Sequence, residues 1–148
     1  PSNLQTDIQE KIKGETIKCL NALEINYGAS HSEFKITPDG EVFVIEVGAR
    51  MGGDFIGSHL VELSTGYDFL QGVINISLGK YEAPILESNN FSGVYFLCKE
   101  TEHILPYFSQ ENNFVIQKEI QNSNLKNITN SNDRSGYLIY QANKRIQL

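Results

Sequence analysis

Residues 28–54 read GASHSEFKITPDGEVFVIEVGARMGGD. Two strand-like runs, Ser30–Ile36 and Glu41–Val47, flank Thr37-Pro38-Asp39-Gly40. Asp-Gly between such runs is a strong hairpin signal, because both central residues of a type I′ turn take positive φ. Taken as a two-residue loop, the turn puts Glu33 directly opposite Glu46. Opposed residues share a face with Cβ atoms about 5 Å apart, and two like charges there repel by about 3 kcal/mol at an effective dielectric of ~20. Such a pair calls for a cation or a shared proton.

Strand alternation extends the argument. Glu46, Gly48 and Arg50 point to one side, and His31, Glu33 and Lys35 point to the same side of the facing strand. The reverse face carries Phe34, Ile36, Phe43 and Ile45 for a core. A carboxylate pair suits a hard ion such as Mg²⁺, which keeps waters and is completed by substrate phosphates. The planar fork of Arg50 suits a phosphate or acyl-phosphate oxygen. Gly52 and Gly53, beside a helix start, bring backbone N–H groups close to an anion. Plainer readings stand beside this one. The two glutamates also fit an exposed pair relieved by neighbouring lysines or by splaying, and Arg50 a surface ion pair. The glycines also fit a bulge and a tight turn, and a three-residue loop with a bulge would shift the register by one and turn the glutamates to opposite faces.

Outward from the hairpin, Leu4, Ile8, Ile12, Ile17, Leu20 and Leu23 predict an amphipathic helix over residues 3–23, broken or weakened near Gly14. After the glycines, Ile56–Leu63 and Tyr67–Leu78 read as two short helices, with Leu70, Val73, Ile74 and Leu78 as the inward stripe of the second. Pro84–Asn90 is a connector. Three β-rich runs follow at Gly93–Lys99, Phe114–Ile120 and Gly136–Ala142, the last two separated by an asparagine-rich surface loop, Gln121–Asn132.

Composition narrows the function classes. The 148 residues are 40% hydrophobic and 20% charged with a formal net charge of −6. That balance gives no electrostatic footprint for nucleic acid. No apolar run approaches the roughly 18 residues of a membrane span, and no leader pattern opens the chain. Cys19 and Cys98 form no metal or disulfide pattern and fit reduced thiols in the cytoplasm. Asn75, Asn90 and Asn127 begin N-x-S/T sequons, read as chance matches without an export signal. His31, His59 and His103 show no metal-ligand spacing. The chain opens on Pro1 and its one methionine is Met51, the look of a fragment or processed product.

The quoted stretch resembles the closing motif of the ATP-grasp superfamily, in which two acidic residues and a following x-N-x-R hold Mg²⁺ and the triphosphate. The resemblance matches Glu33 and Glu46 to the metal-binding acids and Arg50 to the catalytic arginine. Gly48 departs from it, standing where many members carry a metal-binding asparagine. The GAR form with a following Gly52-Gly53 is closer to the carboxylate-amine ligase branch, similar to bacterial L-amino acid ligases. There His31 would face the amino-acid substrate. IGSHLVELSTGYDFLQGVINISLGK resembles the helical stretch after the motif, and NDRSGYLIYQANK the small C-terminal lobe of biotin carboxylase-like members.

The resemblance implies an α+β fold class: the C-terminal portion of an ATP-grasp fold, with an antiparallel sheet and flanking helices over residues 1–88 and a small β-rich lobe over residues 89–148. It implies a fragment of an ATP-dependent carboxylate-amine or carboxylate-thiol ligase working through an acyl phosphate. ATP and Mg²⁺, or Mn²⁺, are the implied cofactors. The implied partners are a small-molecule carboxylate and amine, and the N-terminal part of the same protein with its adenine-contacting residues; a homodimer is an allowed assembly. The fragment alone is expected to be inactive. Two rival readings are a noncatalytic ATP-grasp-like binding or assembly module, and an unrelated α+β interaction domain whose hairpin imitates the motif.

Overall fold

The computed structural model describes residues 2–148. The elements in chain order are α1 (Thr6–Ala22), β1 (His31–Ile36), β2 (Val42–Gly48), a π-helical turn (Ile56–Leu60) running into α2 (Val61–Thr65), α3 (Phe69–Ser77), β3 (Phe91–Leu97), α4 (Pro106–Ser109), β4 (Val115–Ile120) and β5 (Gly136–Ala142). Two antiparallel sheets result, one of β1 and β2 and one ordered β3-β5-β4, so the chain is α+β. It divides into two compact units, residues 1–58 with 68–84, and residues 59–67 with 85–148. Among the described residues no helix is long and apolar enough to cross a membrane.

In the first unit α1 runs through Gly14 without the break that was one of the two expectations there. An interior glycine costs about 1 kcal/mol in a helix. Seventeen residues absorb that cost, and the ion pairs Glu10–Lys13 at 2.6 Å and Glu15–Lys18 at 2.7 Å flank the position. The helix lies against β2, and Lys11 Nζ donates to the Gly40 carbonyl at 3.1 Å. α3 begins at Asp68, whose carboxylate accepts from the Gln71 N–H at 2.8 Å as an N-cap. Its helical stripe is real but uncovered: Leu70, Ile74 and Leu78 are exposed, as are Ile17 and Leu23 around α1. Among the described residues, Gly57 is the only fully buried residue of this unit.

The hairpin closes differently from the expected two-residue loop. Gly40 N–H donates to the Thr37 carbonyl at 2.9 Å, Thr37 N–H to the Glu41 carbonyl at 3.0 Å, and Glu41 N–H to the Thr37 hydroxyl at 3.1 Å. Gly40 alone in the turn has positive φ, at 81°. This is a three-residue loop, a type I turn followed by a left-handed residue. It pairs Ile36 with Val42, Lys35 with Phe43 and Phe34 with Val44. A bulge at Ile45 then restores the register, and Glu33 faces Glu46, Ser32 faces Val47 and His31 faces Gly48. The expected core face is corrected accordingly. Phe34 and Ile36 share their side with Val44 and Val42, while Phe43 stands on the side of Lys35 and Ile45 is the extra residue; both are exposed.

The second unit contains the buried core. β5, GYLIYQA, is the central strand, and Leu138 and Ile139 are fully buried with Leu97 and Ile104. A strand buried on both faces needs an unbroken apolar run rather than an alternating one, as here. Polar atoms in this core find partners: Gln117 Nε2 donates to the Tyr137 hydroxyl at 2.6 Å and the Tyr95 hydroxyl to the Ile146 carbonyl at 2.8 Å. Residues 59–67 are tied to the sheet by Ser92 Oγ donating to the Leu60 carbonyl at 2.7 Å and Gln141 Nε2 to the Leu63 carbonyl at 2.6 Å.

Two carboxylates anchor the asparagine-rich loop, beside backbone bonds such as Lys99 N–H to the Lys126 carbonyl at 2.9 Å. Glu100 accepts from the Ile128 N–H at 3.1 Å, and Asp133 accepts from the Thr129 hydroxyl at 2.6 Å and from the Thr129 and Asn130 N–H groups. The Thr129 hydroxyl, then these backbone donors, holds the Asp133 carboxyl below the usual carboxylate range.

One close approach in this sheet makes a measurable prediction. The Tyr140 ring lies across Gly93, where an added Cβ would stand 2.5 Å from ring carbon Cε1. Tyr140 also stacks on Tyr95 with centroids 5.9 Å apart, so the ring has no free direction in which to yield. Gly93→Ala is therefore expected to destabilise the unit by about 1–3 kcal/mol. A thermal unfolding curve that coincides with that of the unaltered chain would refute this packing.

Candidate active site

The far end of the hairpin from its turn collects the chemistry. His31 and Glu33 lie at the start of β1, Glu46 lies near the end of β2, and Arg50 follows two residues after Gly48. Glu33 and Glu46 are direct cross-strand partners and so share a face. Arg50 Nη2 lies 3.2 Å from Glu46 Oε1, and His31 Nε2 lies 3.3 Å from Glu33 Oε1. Four of the residues singled out in the sequence thus meet on one surface. Lys35, on the same side of β1, stands opposite Phe43 towards the turn.

Glu46 has the Arg50 guanidinium beside it and Glu33 the His31 ring nitrogen, and about half of each carboxylate side chain is open to solvent. At that exposure an ion pair and a like-charge repulsion are each worth about 1 kcal/mol or less. Two carboxylates against one guanidinium leave the face acidic and open to a further cation. Among the described residues no group of three or more His, Cys, Asp or Glu side chains could enclose a metal ion. Two open carboxylates without a third ligand do not make a protein cage. They suit an ion that keeps its waters and takes phosphate oxygens, which is the chemistry of Mg²⁺. The donor set fits that group.

The glycine pair precedes a left-handed corner and not the expected helix start. No α-helix starts beside it: the chain passes through Asp54 and Phe55, with φ of 51° and 65°, before the π-helical turn begins at Ile56. Left-handed backbone costs about 1–2 kcal/mol per non-glycine residue, so this corner holds strain. Gly53 accepts at its carbonyl from the Ile56 N–H at 2.8 Å, and open space surrounds its α-carbon. Gly52 is glycine for a steric reason. A Cβ there would lie 2.9 Å from His31 Nδ1 and 3.1 Å from Ile56, so the bare backbone is what lets the imidazole sit beside Glu33.

Sequence reasoning missed two features. Met51 supplies a carbonyl that accepts from Arg50 Nη1 at 3.0 Å, and its side chain presses on buried Gly57. The Ile45 bulge was also unforeseen. A signal for the turn was available: Pro38 at the second position and Gly40 at the fourth are the residues of a type I turn.

Comparison with solved structures completes the description. Over 97% of its length the chain superposes on phosphoribosylglycinamide synthetase from Anaerococcus prevotii, with a TM-score of 0.77 and 18% identity. Over 97% it also matches an L-amino acid ligase from Bacillus licheniformis, with a TM-score of 0.75 and 23% identity. The chain shares the fold of these two proteins over nearly its whole length. A biotin carboxylase from Campylobacter jejuni, in a β,γ-ATP complex, matches over 98% of the chain at a TM-score of 0.58 and 16% identity. At these identities the likeness is one of fold. The chain spans 39%, 38% and 34% of the three neighbours' own lengths. No family model matches the sequence, and no curated protein matches it significantly.

Proposed function

We propose that this chain is the part of an ATP-dependent carboxylate-amine, or carboxylate-thiol, ligase that handles the metal-bound triphosphate. The observation that carries the reading is the facing pair Glu33–Glu46 with Arg50 on the same surface. The likeness of fold to three ligases and carboxylases supports it. In this reading Glu33 and Glu46 hold Mg²⁺, or Mn²⁺, and that ion when bound neutralises charge on the β- and γ-phosphates. Arg50 stabilises the transferring phosphoryl group and later the oxyanion of the tetrahedral intermediate. The N–H groups of Gly52 and Gly53 lie along the phosphate path, and His31 faces the amino-acid substrate.

The chemistry has two steps. A carboxylate oxygen of the substrate attacks the γ-phosphorus; the bond from that phosphorus to the β,γ-bridging oxygen breaks, and ADP leaves. The resulting acyl phosphate is then attacked at its carbonyl carbon by an amine or thiol. A proton is lost from the nucleophile and inorganic phosphate departs. The adenine half of the site belongs to the remaining portion of an ATP-grasp protein, so residues 1–148 alone are assigned no turnover.

The test is an ADP-release screen on the longer protein across amino acids and other carboxylates. The expected result is ADP formation that requires a carboxylate, a nucleophile and Mg²⁺ together. ADP release indifferent to both organic substrates, or ligation catalysed by residues 1–148 alone, would overturn the proposal.

A further inference from the structure

Arg50 is folded back over Gly48. A Cβ built on Gly48 would stand 3.4 Å from Arg50 Cγ, 3.6 Å from Arg50 Nε and 3.9 Å from Glu46 Oε1. The arginine stem therefore occupies the space that a longer side chain at position 48 would take. Its guanidinium is spent on the chain's own acceptors, Glu46 Oε1 at 3.2 Å and the Met51 carbonyl at 3.0 Å. The carboxylate that a cation would need is thus already held by a cation, through a loop closed over a bare glycine.

We infer that Arg50 is a built-in cap on the cation site, held in place by the missing side chain at Gly48. The inference rests on the proposed reading of Glu46 as a metal ligand. A divalent ion arriving alone must break the Arg50–Glu46 pair and then sit beside a displaced guanidinium of like charge. An ion arriving with a polyphosphate meets no such penalty, because the phosphate oxygens take the guanidinium that the ion displaces. The cap therefore couples the two ligands: each binds more tightly in the presence of the other. A lone cation is disfavoured, and the site fills with the metal–polyphosphate complex.

The experiment titrates the 148-residue chain with Mn²⁺ alone, following the free-ion signal by electron paramagnetic resonance. Arg50→Ala is expected to bind Mn²⁺ roughly threefold to tenfold more tightly than the unaltered chain, the scale of an exposed ion pair plus one removed like charge. Gly48→Val needs the space of the Arg50 stem without supplying a metal ligand and is expected to tighten binding in the same direction. Gly48→Ala, whose methyl group fits against Arg50 Cγ, keeps the unaltered affinity. Adding Glu46→Gln to Arg50→Ala abolishes the gain.

If Arg50→Ala binds Mn²⁺ no better than the unaltered chain while Glu46→Gln weakens binding, the cap is refuted and Glu46 stands as a ligand. If Glu46→Gln changes nothing in either background, or Arg50→Ala binds no Mn²⁺ at all, the metal reading falls together with the cap.

Discussion

In the proposed ligase, Glu46→Gln is expected to lower kcat by about 10²–10³-fold, the scale of losing one preorganised electrostatic contact to the transition state. The substitution removes a charge and leaves shape almost unchanged. Little stability is at stake, because Glu46 is half-exposed and its recorded side-chain partner is Arg50, also half-exposed. Losing an exposed ion pair costs ~0.2–1 kcal/mol, and relief of the repulsion from Glu33 offsets it. Folding and rate therefore separate cleanly at this residue. A folded variant with a collapsed rate supports the metal role. A folded variant with undiminished ADP release removes the metal role from Glu46.

Arg50→Ala is expected to reduce kcat by a comparable 10²–10³-fold while the KM for ATP changes little, since the proposed contact strengthens as charge moves onto the transferring oxygens. Arg50→Lys keeps the charge but loses the planar fork, and recovers only part of the rate. The same alanine variant is the one expected to bind Mn²⁺ more tightly in isolation. A residue that merely holds the loop in place would lose both properties together. Opposite signs in the two measurements are the signature of an arginine that leaves Glu46 to meet phosphate; parallel losses would remove it from the reaction.

The facing of Glu33 and Glu46 was legible in the sequence through two errors that cancel. Asp39-Gly40 suggested a two-residue loop, and the structure has three residues with Gly40 alone left-handed. Uncorrected, that extra residue would have turned the glutamates to opposite faces, but Ile45 adds a second extra residue and turns them back. Periodicity places residues on faces only as far as the backbone is regular. Where it bulges, the pattern along the strand carries no mark of it. β5 was placed at its observed bounds because a buried central strand writes itself as a continuous apolar run between polar ends.

Burial was less legible than secondary structure. The stripe of α3 has the expected helical spacing, yet Leu70, Ile74 and Leu78 are exposed. Spacing reports which side chains line up, not whether another layer covers them. The first α-helical run expected after the glycines opens instead as a π-helical turn behind two left-handed residues. Asp54 is of a type enriched in that conformation, but Phe55 gives no compositional warning of it.

Neither irregularity is needed by the pair itself. Ile45 has no partner across the hairpin, so its deletion lets Phe34–Val44 and Glu33–Glu46 follow one another directly. Shortening Pro38-Asp39-Gly40 by one residue still leaves Thr37 across from Glu41, and every pair beyond it stays in place. The bulge is thus a spare residue in β2, slack that a deletion can take up while the two carboxylates go on facing each other.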